Sequence, residues 1–469
     1  MIDVNYYNSD TTILSVDKIK PDSYLLILIP IFCFTLTIGC SESSPSNEIA
    51  STKLPMVTDS PLSPGSGIKA GYLDTTFGVK FVGNELFTAN ILVGENIFLG
   101  GYSNSGNNTL FSVGKFSISG TVDSSFGSTN GTVQTSFGAG QSNVSNFAVQ
   151  SDLKLIAAGS FTPLVPIGKI ALVRYNQDGS VDNAYGTQGK VLIDYSTSYL
   201  SISKVLVQPD EKTVVVGDVY FSGFSATSSF FLTRFKNDGT PDYSFGNSSM
   251  VTTSFTSNSR DYPRDATIQS DGKIIVIGAS NGPSFSPCIV ARYLSDGSLD
   301  TTFGQSGKMF LKIPDTFSFF CKHVAAQTDG KIVVAGYGDS TLGRSIQIVR
   351  LAANGTFDTT FAGGSGFVLG GAGDKVSEYN NESLSMLIQP DGKIVVAGIK
   401  SPTSSNSTVF LTRYNIDGTI DSKFGVSGIS NNLKTGRIYY ANLFLTSDSK
   451  LAIVGKDNDF GSFIFKVGM

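Results

Sequence analysis

MLIQPDGKIVVAGIK (Met386–Lys400) and VFLTRYNIDGTIDSKFG (Val409–Gly425), separated by a Ser/Thr-rich gap, form one unit that the chain writes repeatedly. ATIQSDGKIIVIGAS with CIVARYLSDGSLDTTFG (Ala266–Gly304) and VAAQTDGKIVVAGYG with IQIVRLAANGTFDTTF (Val324–Phe361) carry the same text, and degraded copies fill the rest of the chain past residue 68. A period of this kind decides the architecture, because each copy buries its apolar faces only against neighbouring copies.

Inside a copy, apolar runs rich in Val, Ile, Phe and Tyr alternate with Asp-Gly or Asn-Gly pairs, which supply the positive backbone angles of tight hairpins. The pattern predicts four strands: a (Leu384 to Gln389), b (Lys393 to Gly398), c (Val409 to Tyr414) and d (such as Lys190 to Asp194). Strand b, KIVVAG, is continuously apolar rather than alternating, which predicts burial on both faces between stacked sheets.

The glycine expected to close strand b falls at Gly101, Gly159, Gly217, Gly278, Gly336, Gly398 and Gly455, with gaps of 58, 58, 61, 58, 62 and 57 residues. The turn motif Asp-x-x-Phe also occurs seven times, at Asp74, Asp123, Asp182 (with Tyr185 for Phe), Asp242, Asp300, Asp358 and Asp421. Four strands with generous loops fill this period, which predicts an all-β, seven-bladed β-propeller of four-stranded antiparallel blades. The chain opens the repeats at GYLDTTFGVKFV (Gly71–Val82), a turn plus a strand d, and ends at FIFKVG (Phe463–Gly468), a strand c with nothing after it. Val79 to Val82 is therefore expected to complete the C-terminal blade, closing the ring with an N-terminal strand and removing two bare sheet edges.

Ahead of the repeats, Lys18 and Lys20 precede about fifteen mostly apolar residues from Tyr24 to Ile38, followed by Gly39-Cys40-Ser41. Residues 1–39 resemble a bacterial lipoprotein signal peptide, with Cys40 as the lipidated residue. Leu36 stands four residues before the cysteine rather than three, and the charged leader is long. A transmembrane anchor or a secretory peptide cut elsewhere are the other readings. Residues 40–67 are rich in Ser and Pro and read as a tether, leaving 68–469 for the propeller. The expected location is the bacterial cell envelope, as an outer-membrane lipoprotein that meets the membrane only through its lipid.

Charged residues make up 15% of the chain and the net charge is −4, so there is no basic surface for nucleic acid. Four cysteines occur; with Cys33 in the leader and Cys40 lipidated, Cys288 and Cys321 remain. They fall on a strand c and the following strand a, at different radii, which favours two buried thiols over a disulfide.

The units QPDGKIVVAG, LTRYNxDGTxD and DTTFG resemble the delta-sixty repeats of a bacterial β-propeller family, over residues 68–469 and most clearly between 266 and 425. The resemblance implies a seven-bladed propeller on an exported protein and carries no activity with it.

A residue present in every blade has a reason present in every blade. The strand c cation (Lys115, Arg174, Arg234, Arg292, Arg350, Arg413, Lys466) and the Asp of Asp-x-x-Phe are thus read as structural, the Asp capping its turn near the cation. A single histidine, His323, excludes multi-histidine metal sites and reads as a strand residue rather than a base. There is no Trp, and no GxSxG, HExxH or phosphate-loop pattern. Catalytic residues are therefore not assigned, and no cofactor is expected beyond a weak calcium candidate at Asp457 and Asp459, with Gly370–Asp374 as a second glycine-rich one; plain turns are the plainer reading.

The a-b and c-d turns share one face and vary little, whereas the b-c and d-a loops on the other face differ between copies. Variable loops on a rigid scaffold are where binding resides. Tyr262, Arg264, Phe319, Phe320, Tyr379, Arg437, Tyr439 and Tyr440 fall there, and Tyr and Arg commonly anchor interfaces. The alternative is that these aromatics line the inner wall where strand a begins. The sequence thus predicts a monomeric, lipid-anchored binding or scaffold module for a protein or glycan. A polysaccharide hydrolase or lyase with acids in the central funnel, or a structural envelope protein, are the alternatives. Two converging acids beneath the aromatics would favour the enzyme.

Overall fold

Asp-Gly pairs turn the chain where they were expected to: Gly179, Gly239, Gly297, Gly392 and Gly418 hold φ between 80° and 88°, a region costly for any residue with a Cβ. The computed structural model describes residues 69–469 except 78, 83–85, 129, 165–167, 195–197, 222–226, 247–248, 282–285, 342, 371–383 and 404–405. The chain divides into Met1–Pro64 and Gly65–Met469, and the described residues all belong to the second unit. The leader, Cys40 and the tether lie outside them. Among the described residues no helix is long and apolar enough to cross a membrane.

The strands form seven four-stranded antiparallel sheets, the blades of a propeller. Their first strands are Leu86–Val93, Gly140–Val149, Ser198–Val207, Asp261–Ile268, Phe320–Ala326, Leu384–Ile388 and Ile438–Leu445, and these pack on one another in succession to form the inner wall. The seventh blade takes its strands b and c from Leu451–Asp457 and Gly461–Val467 and its last strand from Lys80–Val82, in the register Lys80↔Ile464, Phe81↔Phe463, Val82↔Ser462. The ends of the repeat array complete each other as their phase predicted.

Seven apolar clusters fill the seven gaps between blades. The cluster joining the ends contains Phe87, Ile97, Leu99 and Phe116 of the first blade with Ala452, Val454 and Ile464 of the seventh. Strand b feeds two clusters at once: Ile394 and Val396 face the fifth blade, while Val395, Ala397 and Ile399 face the seventh. That is why the run is continuously apolar. Each fully buried aliphatic side chain contributes about 1.5–3 kcal/mol.

The period-marking glycine does not close strand b. It sits inside strands that run on for several residues, as Gly217 does in Thr213–Phe221. The first strand bulges beside it: Ser203, Arg264 and Lys322 are inserted without a partner, after the residues that pair with Gly217, Gly278 and Gly336. A Cβ on Gly217 would lie 1.9 Å from the Ser201 carbonyl oxygen, and one on Gly278 2.1 Å from that of Tyr262. Glycine is required because the bulge pushes strand a's backbone across strand b.

At the c-d end the repeated cation and acid meet. Five arginines and Lys115 pair with their Asp at 2.7–3.0 Å, as in Arg350–Asp358. Each arginine also lies 4.5–4.6 Å over the aromatic ring of its own motif. Arg174, Arg234, Arg292 and Arg350 further donate to a carbonyl in the next blade's turn. The Asp accepts from the amide two residues on, 3.0 Å for Asp358 to Thr360. In the closing blade Asp74 pairs with Lys450 while Lys466 lies 5.3 Å over Phe77, so the motif is completed by residues from both ends of the chain.

Cys288 and Cys321 are joined in a disulfide, with Cα atoms 5.3 Å apart, which corrects the expectation of two thiols. The radius argument failed because blades are twisted. The fifth blade's first strand crosses the second and third strands of the fourth blade, so Cys321 reaches Cys288 on the third strand, Ser286–Tyr293. Gly278 leaves the path open, and Cys321 Sγ lies 3.3 Å from its carbonyl oxygen.

Candidate functional site: the mouth and inner wall of blades three to five

In the first five blades the bulge presents two consecutive residues on the inner strand, the inserted one and the next. In the first, second and third blades the inserted residue is Thr88, Ser145 or Ser203, and the next is Ala89, Asn146 or Lys204. The fourth blade has Arg264-Asp265 and the fifth Lys322-His323. Ser385 and Asn442 take the second position in the sixth and seventh. Several of these side chains staple neighbouring inner strands: Asn146 Oδ1 accepts from Val205 N at 3.1 Å, Asp265 Oδ2 from Val324 N at 3.0 Å, and Ser385 Oγ from Leu443 N at 3.0 Å. Charge at these positions is confined to blades three to five.

Asp265 is the centre of that group. Lys204 Nζ lies 2.9 Å from its Oδ1, and His323 Nδ1 3.5 Å from its Oδ2. Burial opposes the carboxylate. Lys204, His323 when charged, and the Val324 N–H outweigh it and hold its pKa below the ordinary value. His323 keeps 28% of its side chain accessible yet is enclosed by the surrounding strands. That burial, reinforced by Lys204, pushes its pKa below the ordinary histidine value against the pull of Asp265, so the ring is neutral at pH 7. His323 Nδ1 is buried and has no hydrogen-bond partner among the described residues. Beside this group Ser201 Oγ donates to Asp218 Oδ1 at 2.6 Å. Burial raises the Asp218 pKa against that bond and the nearby Arg264.

Towards the variable face, aromatic rings and cations combine. Phe320 stacks on Tyr337 with ring centres 5.3 Å apart, and Lys322 and Arg344 lie 5.4 and 5.6 Å over the Tyr337 ring. Arg344 is held by a two-point bond to Asp339, at 2.8 and 2.9 Å. Arg260 lies 5.7 Å over Tyr220.

The expected binding residues are therefore divided. Tyr262 and Arg264 lie on the first strand of the fourth blade rather than in a loop, half-buried and exposed respectively. Phe320 begins an inner strand. Phe319 is 2% exposed in the cluster that holds the disulfide, so it cannot meet a partner. Tyr439 is 65% exposed and Tyr440 half-buried, both on the seventh blade's first strand, where burial pushes the Tyr440 hydroxyl up to about 12. Arg437 pairs with Asp459 at 3.1 Å. Tyr379 and the 371–374 part of the glycine-rich stretch lie outside the described residues. Asp457 is fully buried against Lys434 at 2.7 Å, so a calcium ion at Asp457 and Asp459 would have to displace two cations. Lys204 and Asp265 were not singled out from the sequence. The signal that finds them is divergence at the bulge, which becomes visible only when copies are aligned on the strand b glycine.

Five segments, residues 150–185, 208–245, 269–303, 327–361 and 389–424, match the family described as Domain of unknown function (DUF5122) beta-propeller. No curated protein matches the chain in sequence. Among solved structures, a polysaccharide lyase of family PL25, an ulvan lyase, is similar at 11% identity and a TM-score of 0.45, over 85% of this chain and 96% of that one. The polysaccharide lyase Uly1 is similar at 10% identity and 0.47, over 87% and 94%. A protein of unknown function from Dyadobacter fermentans is similar at 11% identity and 0.38, over 83% and 98%.

Proposed function

The chain belongs to the DUF5122 β-propeller family, and from that premise we propose that it is a glycan-binding module of the bacterial cell envelope, tethered through a lipidated Cys40. The observation that carries the reading is the aromatic and cationic rim of blades three to five: Phe320 stacked on Tyr337 under Lys322 and Arg344, and Tyr220 under Arg260. Sugar rings pack on half-buried aromatic faces while neighbouring cations bond their oxygens. A protein partner would bury roughly 800 Å² on each side around a core of clustered apolar anchors. The large apolar side chains exposed near this face are scattered instead: Leu164 on the second blade, Phe317 before the fifth, and Tyr439 and Phe460 on the seventh.

Hydrolysis by a pair of acids is less well supported, since Asp265 is 5% exposed and committed to Lys204. The Cys288–Cys321 disulfide fits export to an oxidising compartment. The test is binding of the purified protein to a panel of immobilised polysaccharides, beside the variants Tyr337→Ala, Tyr220→Ala, Tyr262→Ala and Arg264→Ala, and Tyr439→Ala on the seventh blade. Loss in the first four and retention in the last supports the reading. Equal binding by all, or none by wild type, removes it.

A further inference from the structure

The chain as a whole is acidic, at net −4, yet its inner wall is not. Lys204, Arg264 and Lys322 occupy the two bulge positions of three consecutive blades, and Arg260 lies just above on the same side. The acids nearby are Asp265, which Lys204 engages, Asp339, which Arg344 engages at two points, Asp261, which accepts from the Phe255 amide, and Asp218, which Ser201 bonds and whose pKa burial raises. In the first and second blades, which bulge at the same place, the positions hold Thr, Ala, Ser and Asn, so the charge cannot be a requirement of the fold: Thr88 Oγ1 bonds the Val144 carbonyl at 2.7 Å and Asn146 Oδ1 accepts from Val205 N at 3.1 Å without any charge. In a repeat protein, a departure shared by three adjacent copies and facing one opening marks a site rather than a scaffold. His323 adds a ring that is neutral at pH 7, and Arg264 is exposed at the bulge.

We propose that this arc of the inner wall, centred on Arg264 and Lys322, is the subsite for the acidic group of the bound glycan, a carboxylate or a sulfate ester. The proposal rests on the glycan-binding reading and names its substrate class. An anion placed there meets two cations on neighbouring strands, with Lys204 kept on Asp265 and Arg344 kept on Asp339. The aromatic pair Phe320 and Tyr337, on the same blade as Lys322, holds the uncharged part of the sugar. Cations carried on paired strands rather than loops lose little backbone freedom on binding, and charge-assisted bonds are about twice as strong as neutral ones.

The experiment is titration calorimetry of the full chain against dextran, dextran sulfate and polygalacturonate, at low and high salt. Arg264→Gln, Lys322→Gln and the double variant are measured beside Lys423→Gln, which lies in a c-d turn on the opposite face. The expected result is binding of at least one acidic polymer, weakened by salt, and on the order of tenfold weaker in each single variant while Lys423→Gln matches wild type. Binding of polygalacturonate alone identifies a carboxylate, of dextran sulfate alone a sulfate, and of both the shared chemistry. Dextran bound as tightly as dextran sulfate, or unchanged affinity in the double variant, overturns the subsite. If those results come with loss of binding in Phe320→Ala and Tyr337→Ala, the glycan-binding reading survives and only the acidic subsite falls. Single-stranded DNA bound as tightly as the acidic glycans, and lost in the same variants, would also overturn it. Unchanged melting temperatures of the Arg264, Lys322 and Lys423 variants show that affinity, not folding, is being read.

Discussion

The amide of Gly425 donates to the carbonyl of Ala70 at 2.8 Å, joining the sixth blade's turn to the start of the repeat array. The same bond recurs at each earlier junction, as from Gly186 to Asp238 and from Gly246 to Asp296, so the N-terminal turn replaces the missing turn of the seventh blade. Removing residues 69–82 would delete it together with the strand that pairs with Phe463 and Ile464. Ladder bonds of about 0.5–1.5 kcal/mol each, plus lost burial, total several kcal/mol and leave an open edge. The truncated protein is expected to be insoluble. A soluble truncation with a single cooperative melt would argue against closure as the source of stability.

Replacing Asp358 by Asn strands the Arg350 guanidinium, only 4% exposed, and is expected to cost about 3–5 kcal/mol at pH 7. Burial opposes the carboxylate, but hydrogen bonds from Thr360 and the neighbouring Arg350 lower its pKa from 3.8 to about 2. A folded-state pKa below the unfolded one stabilises the protein above pH 3.8, and that stability, roughly 2 kcal/mol, is lost as pH falls through about 2. The gap in melting temperature between wild type and Asp358→Asn should therefore narrow as pH falls from 4 to 2. A gap independent of pH would show that the pair is not the cause.

Gly217→Ala would place a methyl 1.9 Å from the Ser201 carbonyl. Backbone must move, so the cost is expected to reach or exceed the roughly 1–3 kcal/mol of an overpacked core. At Gly398 no bulge is present, and the nearest atoms, at 2.7 Å, belong to the Phe410 ring, which can yield. Gly398→Ala should cost less than Gly217→Ala in thermal melts. The reverse order would mean the glycines serve something other than the bulge.

These cases show what the sequence could carry. Ring closure was readable because it depends on the phase of two ends, Gly71–Val82 and Phe463–Gly468, and phase is a property of sequence alone. The pairing of Arg350 with Asp358 was readable because both recur in every copy. The bulge was not: glycine in a strand signals a close approach without naming what approaches, so Gly217 read as a strand end. Nor was the exclusion of Phe319, which is one residue from the accessible Phe320 but on the face that packs into the disulfide cluster. The lysine at position 204 and the acid at 265 lie 61 residues apart, and only the packing of successive inner strands brings them to 2.9 Å.

Cys288→Ser with Cys321→Ser removes a cross-link spanning 33 residues. Chain-entropy reasoning puts its contribution near about 4 kcal/mol, within the usual range for native disulfides. A lower melting temperature is expected, matched by wild type under reducing conditions. Because Cys321 directly precedes Lys322 and His323, binding of acidic polysaccharide should weaken in the same variant even well below its melt. A variant that melts like wild type would place the stability of this junction in the apolar cluster around Cys321 instead.

His323 is expected to shape stability at mild acidity. Its folded-state pKa is lowered by burial and by Lys204, with Asp265 pulling the other way, so the folded protein keeps it neutral where the unfolded chain would protonate it. The unfolded state then binds more protons below about pH 6.5, and stability falls as pH falls from there towards the lowered value. The charged groups facing the ring are Asp265, whose pKa is held below the ordinary carboxylate value, and Lys204, while Ser385 on the next inner strand carries no charge. Wild type should therefore lose melting temperature between pH 7.5 and 5 faster than His323→Gln, which keeps a polar side chain without a titrating one. If wild type instead gains on acidification relative to that variant, protonated His323 is stabilised by Asp265 and the ring is an ion-pair partner rather than a neutral wall of the channel.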